Sequence, residues 1–286
     1  MKLGALIEDA IQDLVDTGAV INPRKDAETL AAHLLGAEEA ARLTDQELDD
    51  QRAKEYRALV DQRVAGVPLG HLTGFAVLGD VEVAVGPGVF VPRVQTETTL
   101  AAGLGAVEDV ADPLVVDFCT GSGAVALAAA HHRPDATVHA VDFDPVALGF
   151  ARQNSARRAE LGDTPIVVHD ADVTDPAVLA ELDGKVDLVL ALPPFMPDES
   201  EVPIEFSEHQ PRAAVFSGAD GLDVIRAIVT ATARLLRPGG TFVVEHGHVH
   251  VETVPELLRQ DGRFENVTAH VDQYEWPLYT VATRRD

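Results

Sequence analysis

Apolar residues at the start of the chain recur with helical spacing. Leu3, Leu6, Ile7, Ala10, Ile11 and Leu14 share one face, the pattern of an amphipathic helix. Pro23 precedes a second periodic stretch that ends near Leu35-Gly36, with glycine where a helix stops. Thr44-Asp45-Gln46-Glu47 has the form of a capping box and predicts a third helix running through Tyr56, Leu59 and Val60. Residues 1–64 therefore read as a small helical domain, a packing or substrate-docking appendage with nothing catalytic in it.

The pattern changes at Gly66. Pro68, Gly70, Gly74, Gly79, Gly86, Pro87 and Gly88 punctuate short alternating runs such as Val81-Glu82-Val83-Ala84-Val85, which predicts a β-hairpin linker over 65–92. Arg93, Thr96 and Glu97 then open a helix toward Leu104. From Leu114 short apolar runs alternate with helix-like segments: Val115 to Phe118, Thr137 to Val141, Ile166 to His169, Val186 to Ala191 and Thr241 to Glu245. That alternation predicts an α/β fold over 93–286, a Rossmann-like sheet with helices on both faces. Phe264 to Val271 and Leu278 to Thr283 read as an antiparallel pair closing one edge.

Composition narrows the setting. The 286 residues include no run near the ~20 apolar positions that cross a bilayer, and Met1-Lys2-Leu3-Gly4 lacks a signal-peptide pattern. The single cysteine, Cys119, excludes an internal disulfide. A cytoplasmic protein without membrane contact is the expectation. The formal charge is −25. Residues 1–65 hold 8 Lys/Arg against 14 Asp/Glu, and the remainder 14 against 33. Such a surface repels phosphate backbones, so no nucleic-acid partner is expected, whereas a protein or a neutral or cationic small molecule is favoured.

The candidate chemistry centres on Val115-Val116-Asp117-Phe118-Cys119-Thr120-Gly121-Ser122-Gly123. An apolar run, a glycine turn and the small-residue segment Ala124 to Ala130 read as strand, tight turn and helix. A second strand ends in Asp142, where a carboxylate can accept from two ribose hydroxyls. Ala171-Asp172-Val173 follows the next strand, where a carboxylate and a backbone N–H can meet adenine. Gly121-x-Gly123-x-x-Ala126 also fits a loose dinucleotide fingerprint. Two features favour S-adenosylmethionine instead. Asp117, four residues before the first glycine, suits a cationic amino-acid group and would repel a pyrophosphate. Asp187 to Phe195 ends a strand in a Pro-Pro-aromatic turn that a dehydrogenase does not need.

Taken together, the ordered set of motifs resembles the release-factor glutamine methyltransferase family (PrmC/HemK), over nearly the whole length. The set comprises the helical start, Pro68 to Gly74, Pro92-Arg93 with Thr96-Glu97, Asp117 to Gly123, Asp142, Asp172, the Pro-Pro-aromatic turn, Pro211-Arg212, Gly218-x-Asp220-Gly221-Leu222, Arg237-Pro238-Gly239-Gly240 and Glu245-His246-Gly247. The resemblance implies a class I methyltransferase sheet, S-adenosylmethionine as cofactor and a glutamine methylated on its side-chain nitrogen. It also implies roles. Asp117, Thr120 and Gly121 would hold the methionine part, Asp142 the ribose, and Asp172 with Val173 the adenine. Arg93, Thr96, Phe118, Cys119, Gly123 and Phe143 would complete the cofactor site, and Leu192, Pro193, Pro194 and Phe195 would form the catalytic turn.

That turn departs from the family's Asn-Pro-Pro-Tyr, since it stands as Leu192-Pro193-Pro194-Phe195. In the family the Asn oxygen and the first Pro carbonyl accept from the target amide; Leu192 accepts nothing. Losing one acceptor for a buried donor costs ~1–3 kcal/mol, roughly ten- to a hundredfold in rate. Gln210-Pro211-Arg212 and Val94-Gln95 also depart from the family's Glu-Pro-Arg and Pro-Glu. The mismatch predicts a changed acceptor. Glu199, Glu201, Glu205 and Glu208, with Asp198, follow the turn and would clamp an amine or guanidinium small molecule; a solvated acidic loop is the alternative. A release-factor protein remains the other acceptor, and a nonenzymatic S-adenosylmethionine binder the third reading. A hydroxyl acceptor would need a base, Glu208 or His209. His246, His248 and His250 alternate as strand neighbours would, but no metal is expected. Trp276 either lines the acceptor pocket or caps the tail hairpin.

Overall fold

The computed structural model of the chain describes residues 1–36 and 44–286, so residues 37–43 of the expected helical domain lie outside it. The chain opens on helices α1 (Leu3–Asp16), α2 (Pro23–Leu35), α3 (Asp50–Val64) and α4 (Leu69–Thr73), followed by strands β1 (Phe75–Leu78) and β2 (Val81–Ala84). Helices and strands then alternate through α5 (Thr96–Ala106), β3 (Leu114–Phe118), α6 (Ala124–His132), β4 (Thr137–Asp142), α7 (Pro145–Glu160), β5 (Val167–Asp170) and β6 (Val186–Ala191). After these come α8 (Ile204–Ser207), α9 (Asp223–Leu235), β7 (Leu236–Glu245), α10 (Thr253–Asp261), β8 (Phe264–Val271) and β9 (Pro277–Arg284). No helix among the described residues is long and apolar enough to cross a membrane.

The chain divides into two units, Met1–Phe75 with Glu201–Gln210, and Ala76–Ser200 with Pro211–Asp286. In the first, α1 buries Leu3, Leu6, Ile7, Ala10 and Leu14, as its periodicity predicts. Asn22 caps α2 by accepting from Lys25 N at 3.1 Å, and Gly36 ends it in the left-handed region at φ 62°. The third helix does not start at Thr44. The carbonyls of Thr44 and Gln46 accept from Gly4 N and Leu3 N, each at 2.9 Å, which commits this stretch to the start of α1. Asp49 caps α3 instead, accepting from Arg52 N at 2.8 Å. Leu69 and Leu72 of α4 pack on the helical core, so the break falls at Phe75 rather than residue 64. Buried Arg63 donates to Asp26 at 2.8 Å and pairs with Glu205 at 3.0 Å, fastening α8 to these helices.

The second unit is built on a seven-stranded sheet of order β5-β4-β3-β6-β7-β9-β8. Its first five strands run parallel, and β9 lies antiparallel to both β7 and β8. Successive residues face opposite sides: Val115 enters a core with α5, α6 and β2, while Val116 enters one with α9 and α10. Leu78, Val81 and Val83 are fully buried in the first of these cores. From Ala76 onward, therefore, the expected linker is part of the sheet unit. Register decides the rest. Phe118 stands opposite Val141 and Ala191, and Ala191 opposite Val244. The next residue of each strand, Cys119, Asp142, Leu192 and Glu245, accordingly arrives at one carboxyl edge, where open α/β sheets bind ligands.

Candidate active site at the carboxyl edge of the sheet

The glycine turn is tied to the end of the neighbouring strand β4. Thr120 N donates to Val141 O at 3.0 Å, and Gly121 N to Asp142 Oδ2 at 2.9 Å. Gly123 caps α6 at φ 83°, a left-handed conformation that favours glycine. At Gly121 a Cβ would meet nothing within 4 Å, so that side of the loop is open to a ligand. Beneath the loop Asp117 is buried. Its Oδ2 accepts from Thr120 Oγ1 at 2.6 Å and from Ala126 N at 3.2 Å, while its Oδ1 has no partner among the described residues. Burial pushes the Asp117 carboxyl up to about 7 against the pull of the Thr120 and Ala126 bonds. A buried acceptor without a donor is costly, and a cationic group bearing N–H would satisfy it.

Asp142 presents the second carboxylate. Its Oδ1 accepts from Asp144 N at 3.0 Å, which orients it and leaves lone pairs on both oxygens for hydroxyl donors. Burial raises its carboxyl, and the surrounding backbone N–H groups lower it. Beside it the Phe143 ring is 54% exposed, an apolar surface next to a polar anchor. Cys119 sits at φ 60°, and burial, with the nearby carboxylates, holds its thiol neutral. These residues fit S-adenosylmethionine: an unmatched buried anion for its positive charge, an open glycine, and a carboxylate for the ribose.

Other expected cofactor residues stand elsewhere. The side chains of Phe118 and Val173 belong to the sheet core, which leaves Val173 its backbone N–H for the expected adenine contact. Phe118 reaches the site through its carbonyl, which accepts from Leu192 N at 3.3 Å. Asp172 is exposed, and its Oδ1 accepts from both the N–H and the hydroxyl of Thr174. Arg93 and Thr96 gather around Glu245. Burial raises this carboxyl while Thr99, Thr96 and the charge of Arg93 lower it; Thr99 Oγ1 donates to it at 2.7 Å.

The Leu192–Phe195 turn leaves β6 next to the glycine loop. Leu192 is half-buried and packs on the core shared with α5 and α6. Phe195 is held from three sides. Its carbonyl accepts from His250 Nε2 at 2.9 Å. A Cβ on Gly221 would overlap that oxygen, and one on Gly247 would reach the ring at 3.0 Å. Beyond it Met196 N donates to Val215 O and Ser217 N to Met196 O, both at 2.9 Å.

The expected carboxylate clamp is not assembled. Asp198 is paired with Arg212 at 3.0 Å, and Glu205 shares Arg63 with Asp26. Glu199 is exposed, and Glu201 and Glu208 belong with Glu205 to the helical unit. The histidines do not share a face either, since β7 stops at Glu245 and His248–His250 form a turn of 3-10 helix. His246 is buried against Thr280, and burial lowers it to about 4; His248 meets Trp276 edge-on. Trp276 lies 63% exposed at the β8–β9 turn, its N–H bound to Asp272.

Sequence reasoning passed over Glu245, Thr99, Gly221 and His250 as individual site residues. Glu245 carried a signal, a carboxylate closing an apolar strand run; the other three depend on long-range contacts. Residues 5–74 match the PrmC N-terminal domain and residues 81–208 the methyltransferase small domain. The chain is 43% identical to a release factor glutamine methyltransferase of Mycolicibacterium smegmatis over 99% of its own length and 98% of the relative's. It is 40% identical to that of Streptomyces coelicolor over 98% and 97%. Among solved structures, the Thermus thermophilus 16S rRNA N2 G1207 methyltransferase in complex with AdoMet and guanosine shares the fold, at TM-score 0.54 and 22% identity over 74% of this chain and 50% of that one.

Proposed function

The chain belongs to the release factor glutamine methyltransferase family and is an S-adenosylmethionine-dependent N-methyltransferase, and from this premise we propose that its acceptor is the side-chain amide of a glutamine in a peptide chain release factor. The observation that carries this reading is the likeness to the mycolicibacterial relative along nearly the whole of both chains, helical domain included. A relative that had changed only its acceptor would have no use for a retained docking domain. The amine or guanidine reading drawn from the acidic segment loses its support, because Asp198 and Glu205 already have cationic partners.

S-adenosylmethionine supplies an activated methyl group on sulfur. The protein's task is position and a dry pocket. Asp117, Thr120 and Gly121 hold the methionine part, Asp142 the ribose, and the exposed Phe143 ring together with the backbone at Asp172 flanks the adenine. Pro193 offers its carbonyl to the acceptor amide, and Phe195 packs the amide plane. An amide loses its proton after transfer, so no general base is required. Leu192 makes amide alignment weaker than an Asn would. The test is transfer of radiolabelled methyl from S-adenosylmethionine to a release factor carrying the Gly-Gly-Gln loop, beside a panel of free amines and guanidines. Label on the factor, lost when that Gln is changed to Ala, is the expected result; turnover of the small molecules alone would reject the reading.

A further inference from the structure

We propose that His250 is the positioning residue of the acceptor turn, holding the Phe195 carbonyl, and with it the Phe195 ring, where an acceptor nitrogen is presented. The inference rests on the methyl-transfer reading of that turn. His250 is buried, and its Nε2 lies 2.9 Å from Phe195 O. A carbonyl only accepts, so the imidazole proton in this bond is on Nε2.

Among the described residues the turn's own chemistry limits its anchorage. Pro193 and Pro194 have no N–H to give, and Leu192 has no polar side chain. Leu192 N is tied to Phe118 O at 3.3 Å, and the next backbone tie is Met196 N to Val215 O at 2.9 Å. His250 supplies the side-chain bond between those two points. The surrounding glycines are fitted to it. A Cβ on Gly221, at φ 79°, would overlap Phe195 O and stand 2.9 Å from His250 Nε2. A Cβ on Gly247 would stand 3.0 and 3.1 Å from two ring carbons of Phe195. Carbonyl, ring and imidazole thus meet only because two neighbouring side chains are absent.

The test uses the full chain with S-adenosylmethionine and a release factor, comparing His250→Ala and His250→Gln. In His250→Ala, kcat should fall roughly tenfold or more, as for one lost buried hydrogen bond. The Kd for S-adenosylmethionine by calorimetry should stay within about twofold, because positioning acts on the turn and not on the cofactor loop. Amide exchange should accelerate at Met196 and Asp198 while Val116 and Val189 stay protected. Gln, which keeps an N–H donor, should recover most of the lost rate. In a Phe195→Ala background, His250→Ala should add less than about twofold. An unchanged kcat, a cofactor affinity that falls in step with it, or faster exchange across the whole sheet would overturn the proposal. If the wild-type protein transfers nothing to a release factor, the proposed acceptor fails, and exchange alone decides His250: local acceleration supports it, and none rejects it.

Discussion

A carboxylate that nothing in the folded protein fully satisfies is the clearest statement made by a single residue. Burial lifts Asp117 to about 7, well above the usual ~3.9. In the ligand-free protein the folded state keeps this proton to higher pH than the unfolded chain does. Its contribution to stability therefore falls as pH rises from about 4 to about 7. Binding a cationic donor demands the ionised form. Affinity for S-adenosylmethionine should thus rise with pH toward about 7, by up to about tenfold per unit, and level off above. Calorimetry from about pH 5.5 to 8.5 measures this; a flat profile, or one that Asp117→Asn fails to flatten, would reject the assignment. Leu192→Asn restores an acceptor for the amide and should raise the methylation rate of a release factor roughly tenfold or more with the cofactor Kd unchanged. An equal or lower rate would show that the turn is not short of that bond.

At the scale of elements, the ends of segments decide more than their middles. The strand ends are brought level by register, and from that levelling come the adjacency of Cys119 to Asp142 and of the glycine loop to the Leu192 turn. Helix α3 illustrates how an end is chosen. Thr44 has the composition of a cap, yet its backbone is bound to the first turn of α1, and Asp49 caps in its place. Asp49→Ala should cost about 1 kcal/mol of stability, and Thr44→Ala less than about 0.5 kcal/mol. Urea unfolding followed by far-ultraviolet dichroism separates them, and the opposite ranking would contradict the observed cap.

For the whole molecule, the charge of −25 sets a requirement for its surroundings. Many exposed arginines are locally paired, among them Arg24, Arg157 and Arg226. The remaining carboxylates repel one another over distances that salt screens, with a Debye length near ~10 Å at 0.1 M. Raising sodium chloride from about 0.05 to about 0.5 M should therefore raise the unfolding temperature. A fall would mean that the surface pairs outweigh the repulsion. The division into two units adds a second property. The chain leaves the sheet unit after Ser200, enters the helical unit for Glu201–Gln210 and returns at Pro211. Within the helical unit that segment is bonded to α3 through Arg63 and Glu205.

Local chemistry made much of this legible without a structure. Periodicity alone separates the helices α1 and α2 from the alternating strands, because burial of one face demands it. Asp117, Gly121, Gly123 and Asp142 were readable because a strand, a tight turn and a terminal carboxylate are written consecutively, and their spacing is their geometry. What folding decided was every pairing between distant positions. Glu205 and Asp198 looked free in a stretch poor in basic residues, yet Arg63 and Arg212 pair with them. Phe118 looked like a site residue, but strand alternation turns its side chain into the core. His250 looked like one of an alternating trio, yet the end of β7 at Glu245 swings it onto the Phe195 carbonyl. A chain specifies its own turns by torsional preference, whereas a buried charge or donor takes its partner from whatever element the fold packs against it.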